Sequence, residues 1–234
     1  MKNAVNIFKK EFAAYFISPI AYIVISIFLV LTGWFFFSTF FLYRQAELRN
    51  FFELLPLTFA FIIPAVTMRL FSEELNIGSY ELLSTMPVSS LDIISGKFMA
   101  SVIFIIIMLL PTVSYSIFIS FLGELDWGPV VGGYTGAVLL GAAFSSIGLF
   151  SSSLTRNQII AFIIGMAVCF VLTLLDKILF FLPRDFLSVF EFLGADFHFH
   201  NISRGIIDSR DLLYFISLCF IMLYSTNLVI QGKK

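Results

Sequence analysis

Six stretches of the chain contain no Asp, Glu, Lys or Arg, and they constrain the fold more than any motif does: residues 12–43, 54–68, 98–123, 127–155, 157–175 and 212–232. A helix that crosses a bilayer needs about 20 mostly apolar residues. Five of the six stretches reach that length. The second holds 15 residues, including Pro56 and Pro64, and is extended by Phe51 and Phe52 on one side and by a snorkelling Arg69 on the other. A re-entrant hairpin is the alternative for that segment. Composition excludes a soluble domain: 59% of the 234 residues are hydrophobic and 12% charged, against roughly 45–50% and about 25% in soluble proteins. A net charge of −1 excludes a basic nucleic-acid binder. Cys169 and Cys219 both sit inside apolar runs, so no disulfide framework is expected. The sequence predicts an all-α, polytopic membrane protein with six transmembrane helices in a single domain, 1–234.

Lys and Arg set the orientation. With both termini cytoplasmic, Lys2, Lys9, Lys10, Arg69, Lys97, Arg156, Lys233 and Lys234 lie inside, and Arg44, Arg49, Lys177, Arg184, Arg204 and Arg210 lie outside. The terminal clusters flank spans directly, where the positive-inside rule is strongest. The first apolar run is far longer than the core of a cleaved signal peptide. Residues 1–16 read instead as an amphipathic interfacial helix with an apolar stripe of Val5, Phe8, Phe12 and Tyr15, and Lys2, Lys9 and Lys10 away from it. Ser18-Pro19 then breaks the chain before the first span; the alternative is one helix running on into that span.

The segment 70–97 is the most polar stretch between spans. Gly78 and Pro87 punctuate it and leave a short helix over 79–86, with Leu82, Leu83 and Met86 on one side. An apolar face of this kind needs a partner or a membrane surface; the alternative is a solvated connector. Ser89-x-x-Asp92 is a capping signal for the start of the third span.

In this segment the pattern Glu73-Glu74…Gly78-Ser79-x-Glu81-Leu82-Leu83-x-x-x-Pro87-x-Ser89, ending at Gly96-Lys97, resembles the loop signature of ABC-2-type transporter permeases. The residues 18–22 (SPIAY), 63–69 (IPAVTMR), 152–158 (SSLTRNQ) and 203–211 (SRGIIDSRD) narrow the resemblance to the gliding-motility-associated permease branch. The family commonly has a base after the acidic pair, where this chain has Leu75 and Asn76. The resemblance implies a bacterial inner-membrane permease, with 70–97 as a coupling loop. Glu73, Glu74, Gly78, Ser79, Glu81, Leu82, Leu83 and Pro87 would form its docking site for a separate ABC ATP-binding subunit. It also implies a second permease subunit, identical or related, and allows a further membrane partner with a large extracytoplasmic domain.

The chain has no nucleotide motif of its own. Gly96-Lys97 is followed by Phe98, and Leu91 stands where the first glycine of a phosphate-binding loop would be. No cofactor is therefore expected in this chain, with ATP and Mg²⁺ in the partner subunit. Small residues at Gly132, Gly136, Gly141, Gly148 and Gly165, with Ser152, mark faces where helices approach closely, within the bundle or between subunits. The segment 176–211 interleaves Phe with charges and is expected at the outer interface. Asp196-x-His198-x-His200 invites a metal reading, but both histidines share a face only on an extended backbone, so no metal site is expected. Two rival classes remain: a non-transporting anchor passing ATPase motion to a periplasmic partner, and an intramembrane enzyme. The latter lacks an H-E-x-x-H or comparable constellation inside the spans.

Overall fold

In hydrocarbon every backbone N–H and C=O must find a partner within the protein, so apolar stretches of this length fold as helices. A computed structural model describes residues 2–43, 48–81, 88–123, 125–178, 192–206 and 208–233, and no strand occurs among them. The helices are α1 (Lys2–Ile17), α2 (Pro19–Tyr43), α3 (Arg49–Thr67), α4 (Arg69–Ile77), α5 (Ser90–Leu109), α6 (Val113–Leu122), α7 (Trp127–Leu154), α8 (Gln158–Ile178), α9 (Ala195–Ser203) and α10 (Ser209–Gln231). A 3-10 turn at Leu110–Thr112, containing Pro111, joins α5 to α6. Six runs are long and apolar enough to cross a membrane: Pro19–Ser38, Arg49–Ile77, Ser90–Leu122, Trp127–Leu154, Gln158–Leu175 and Ser209–Gln231.

α7 is the axis of the bundle. It packs against α3, α4, α5, α8, α9 and α10, and its small residues make that possible. A side chain at Gly132 would run into the Ile202 carbonyl, one at Gly133 into the Phe52 ring, and one at Gly148 into Thr67. Gly136 faces Ile202 and Phe199, Gly141 faces Ile105, and Gly165 on α8 faces Ser151. By contrast α2, α8 and α10 leave apolar faces exposed, with Val30, Trp34, Ile159, Val171, Ile216 and Phe220 among them.

The structure corrects the length of the second run, bears out the Ser89 start of the third span and refines α1. The second run is not short: α3 continues into α4 and ends only at Ile77, so 70–77 is helix rather than loop. A Ser89 cap starts α5 at Ser90, its hydroxyl accepting from the Asp92 N–H at 3.1 Å; Lys97 therefore lies two turns inside a helix and is not its boundary. α1 is separated from α2 at Ser18, as the Pro19 signal implies; Phe8, Phe12 and Tyr15 of the expected stripe lie on its packed face, and Val5 does not. Val5 is exposed, whereas Ile7, Phe8, Glu11, Phe12 and Tyr15 turn inward against α5. Residues 82–87 and 179–191 lie outside the described residues, and with them Leu82, Leu83, Pro87 and most of the expected 79–86 helix.

Candidate functional site

α1, α4 and α5 converge on one ammonium group. Lys97 shares a face of α5 with Ile93, Ala100, Ser101 and Phe104, all buried, and is itself only 1% exposed. A buried cation is costly unless every donor is met. Its Nζ lies 2.9 Å from Glu11 Oε1 on α1 and 2.9 Å from Glu74 Oε1 on α4, and it donates to the Leu70 carbonyl at 2.7 Å. Three donors thus meet three acceptors on two other helices. The Phe71 ring lies beside the ammonium, 5.2 Å from centroid to Nζ. Lys10 approaches the same carboxylates from the rim, at 3.9 and 3.7 Å. Gly96 makes room for this junction: a Cβ there would come within 2.9 Å of the Ala4 carbonyl.

The surroundings are equally constrained. Tyr15 stacks on Phe104 with ring centroids 5.1 Å apart, and the Arg69 guanidinium sits over the Tyr15 ring at 5.0 Å. Burial pushes the Tyr15 phenol well above its ordinary range, with Arg69 opposing and Glu11 adding to the shift. The phenol is neutral at physiological pH.

α4 is held on its other side by α7. The Ser152 hydroxyl accepts from the N–H groups of Phe71 and Ser72, at 2.9 and 3.0 Å, and donates to the Met68 carbonyl at 2.7 Å. The Ser72 hydroxyl also donates to that carbonyl. A side chain inserted into the helical ladder is a recognised cause of a break, and this one lies where α3 gives way to α4. Gly148, one turn earlier on α7, leaves space for Thr67. The motifs at 63–69 and 152–158 therefore meet here.

The expected docking residues divide. Glu73 and Glu81 are exposed, whereas the Glu74 carboxylate turns inward to Lys97. Gly78 ends α4 with φ +78°, a left-handed cap that favours glycine. Ser79 donates back to the Glu74 carbonyl at 3.5 Å. Tyr80 is buried, and its phenol is pushed up by burial and then by the Glu74 charge. Sequence reading treats Lys97 as the charge that bounds the 98–123 run and assigns Glu11 no role. The Ser89 capping signal, read through to position 97, would have placed the lysine on the packed side.

A second buried polar pair lies at the opposite end of the bundle. Residues 195–203 are helical, so His198 and His200 point to different sides. His198 Nδ1 is 2.6 Å from Asp211 Oδ1, and Nε2 donates to the Phe192 carbonyl at 2.9 Å. Tyr214 stacks on the imidazole at 4.1 Å and donates from its hydroxyl to the Leu193 carbonyl at 2.7 Å. With both ring nitrogens engaged, this pair ties α9 to the first turn of α10. His200 lies nearer the surface. Its pKa is lowered from 6.5 by burial, then by Arg204, with a smaller contribution from Arg49 opposed by Glu53 and Asp196. Among the described residues no cluster of three His, Cys, Asp or Glu side chains could hold a metal ion.

Comparison with known protein-family models and with curated proteins returns no match for this sequence. What can be stated of the chain's class comes from its helices and from the junction at Lys97: an all-helical architecture with six runs fit to cross a membrane, braced at one end by a buried ion-pair network.

Proposed function

We propose that this chain is the membrane-spanning permease subunit of an ATP-driven ABC-2-type transporter in a bacterial inner membrane. Both termini are cytoplasmic, and the segment around residues 78–89 receives a separate ATP-binding subunit. The observation that carries the reading is the Lys97 junction. Through Glu74 it locks α4, the helix that leads into the docking segment, to α1 and to α5, the helix that leaves it. A displacement delivered at that segment is therefore passed to two candidate spans and to α1 together. The exposed Glu73 and Glu81 flank the left-handed turn at Gly78. The absence of a phosphate-binding motif from the sequence fits an energy source in trans.

The exposed apolar faces of α2, α8 and α10 leave surface for lipid and for a second permease subunit. Leu82 and Leu83 make the main docking contact in this reading, each contributing roughly 1.5–3 kcal/mol on full burial. Glu81 at the rim adds about 0–1 kcal/mol. Co-purification of the ATPase with membrane-inserted permease is the test. Leu82→Asp with Leu83→Asp should abolish it, and Glu81→Ala should weaken it only slightly. Retention of the ATPase at wild-type stoichiometry by the double variant would place the docking site elsewhere.

A further inference from the structure

At the end of the bundle away from Lys97, a cavity of about 240 Å³ opens between the first turns of α3 and α7 and the C-terminal end of α9. Arg49 and Arg204 line it together with Phe52, Asp126 and Ser203. We propose that this cavity is an anion site that takes the phosphate group of a phospholipid headgroup or of a soluble phosphate ester. The inference does not depend on the transporter reading; the proposed orientation decides only that the leaflet concerned is the outer one.

Three features converge on this chemistry. Two guanidinium groups face one small volume, and guanidinium is the side chain best shaped for bidentate contact with phosphate oxygens. The N-terminal ends of α3 and α7 both open on the cavity, which adds the positive ends of two helix dipoles. Phe52 and Leu48 supply an apolar wall beside the charges, as an amphiphilic ligand requires. The cavity is small beside typical ligand pockets of roughly 300–1,000 Å³, which suits a headgroup rather than a whole lipid. Its depth also matches, because two membrane-length helices begin at this level with Arg49 and Trp127, and Trp127 is exposed.

The backbone around Arg204 is fixed rather than adaptable. Gly205 has φ +84°, and a Cβ there would sit 3.1 Å from the carbonyl carbon of Gly128. Gly132 lets α7 approach the Ile202 carbonyl. Arg204 is thus held over the start of α7, with no ion-pair partner among the described residues. The His200 pKa is lowered first by burial and then by Arg204, with Glu53 and Asp196 opposing, so Arg204 is the cation felt most strongly at that imidazole. Asp126 and Glu53 are the carboxylates beside the arginines. Asp126 Oδ1 is engaged by the Gly128 N–H at 3.0 Å. Glu53 holds the Arg49 Nε at 3.6 Å, with both side chains about half exposed, so an incoming phosphate competes with Glu53 for Arg49.

That competition gives the test a signature that a merely structural arginine would not show. The full-length chain in detergent is titrated with short-chain phosphatidylglycerol, with the matching diacylglycerol that lacks phosphate, and with glycerol phosphate, and binding is read by native mass spectrometry. Phosphatidylglycerol is expected to bind and diacylglycerol not. Arg49→Gln with Arg204→Gln should weaken phosphatidylglycerol binding by about tenfold or more, since charge-assisted bonds are the strong ones. Arg49→Lys with Arg204→Lys should retain part of the affinity. Glu53→Gln should tighten binding severalfold, and Arg156→Gln at the other end should change nothing. Displacement of the lipid by glycerol phosphate would assign a soluble ester as a competent ligand; failure to displace it would assign the lipid headgroup. Diacylglycerol binding as well as phosphatidylglycerol, or a double Gln variant that melts like wild type and binds like wild type, would overturn the proposal.

Discussion

Lys97 is a side chain whose chemistry depends on its neighbours. Alone at that depth, its ammonium would be among the least favourable groups in the bundle; with Glu11, Glu74 and the Leu70 carbonyl around it, every donor is used. Removing one partner of a buried ion pair is the costly change, because it leaves charge behind without compensation, typically about 3–5 kcal/mol. Lys97→Met would leave two carboxylates facing each other across α1 and α4. It is expected to destabilise the purified protein by about 3–5 kcal/mol, read as a lower denaturation midpoint. Adding Glu11→Gln and Glu74→Gln to Lys97→Met should recover most of the loss. If the single variant is as stable as wild type, the junction contributes nothing to the fold. In the sequence this cluster was half legible. Lys97 and Glu11 are visible as charges at the edges of apolar runs and Glu74 as one of an acidic pair between runs, but a boundary charge and a buried one look the same until the helix register is known. Val5 shows the same limit: Phe8, Phe12 and Tyr15 of the α1 stripe pack as read, but Val5 is exposed and Ile7 and Glu11 join the packed face.

At the scale of elements the apolar stretches located the helices well, because in a bilayer backbone satisfaction leaves a stretch of that length little choice. Their ends were read less well. Charge marks where the hydrocarbon stops, whereas helix ends depend on caps and on tertiary contacts. Thus α4 extends the second run to Ile77, and the break between α3 and α4 falls beside a serine 84 residues away in sequence. Ser152→Ala tests that contact. The substitution removes the acceptor of two backbone N–H groups and the donor to Met68. Buried groups left unpaired typically cost about 1–3 kcal/mol, less here if the Phe71 and Ser72 N–H groups fall back onto the regular helical ladder. The expected result is a loss of about 1–3 kcal/mol in chemical unfolding, with faster hydrogen exchange at residues 68–75. Ser152→Thr adds a methyl group at a fully buried position and is expected to be worse tolerated than its chemistry suggests. Unchanged exchange at 68–75 in Ser152→Ala would show that the helix break does not need the hydroxyl.

For the whole molecule, if all six runs cross, Asn76 and Ile206 lie on opposite sides of the bilayer, and the proposed orientation puts Asn76 inside. The geometry makes the experiment clean. Asn76 and Ile206 are both exposed, so a cysteine at either is open to reagent. The native thiols are free; Cys169 is buried and Cys219 partly so. Both lie on candidate membrane-crossing helices, where a thiol acts as a small hydrophobe, so replacing them with Ala should leave the chain folded. In that background, an impermeant maleimide added to intact spheroplasts is expected to label Ile206→Cys and to spare Asn76→Cys until the membrane is opened. The reverse pattern would invert the orientation and move the Lys97 junction to the outer face, out of reach of a cytoplasmic ATPase. Equal labelling of both sites before permeabilisation would mean that one of the intervening runs does not cross. Pro111, between α5 and α6, makes the Ser90–Leu122 run the one to examine first.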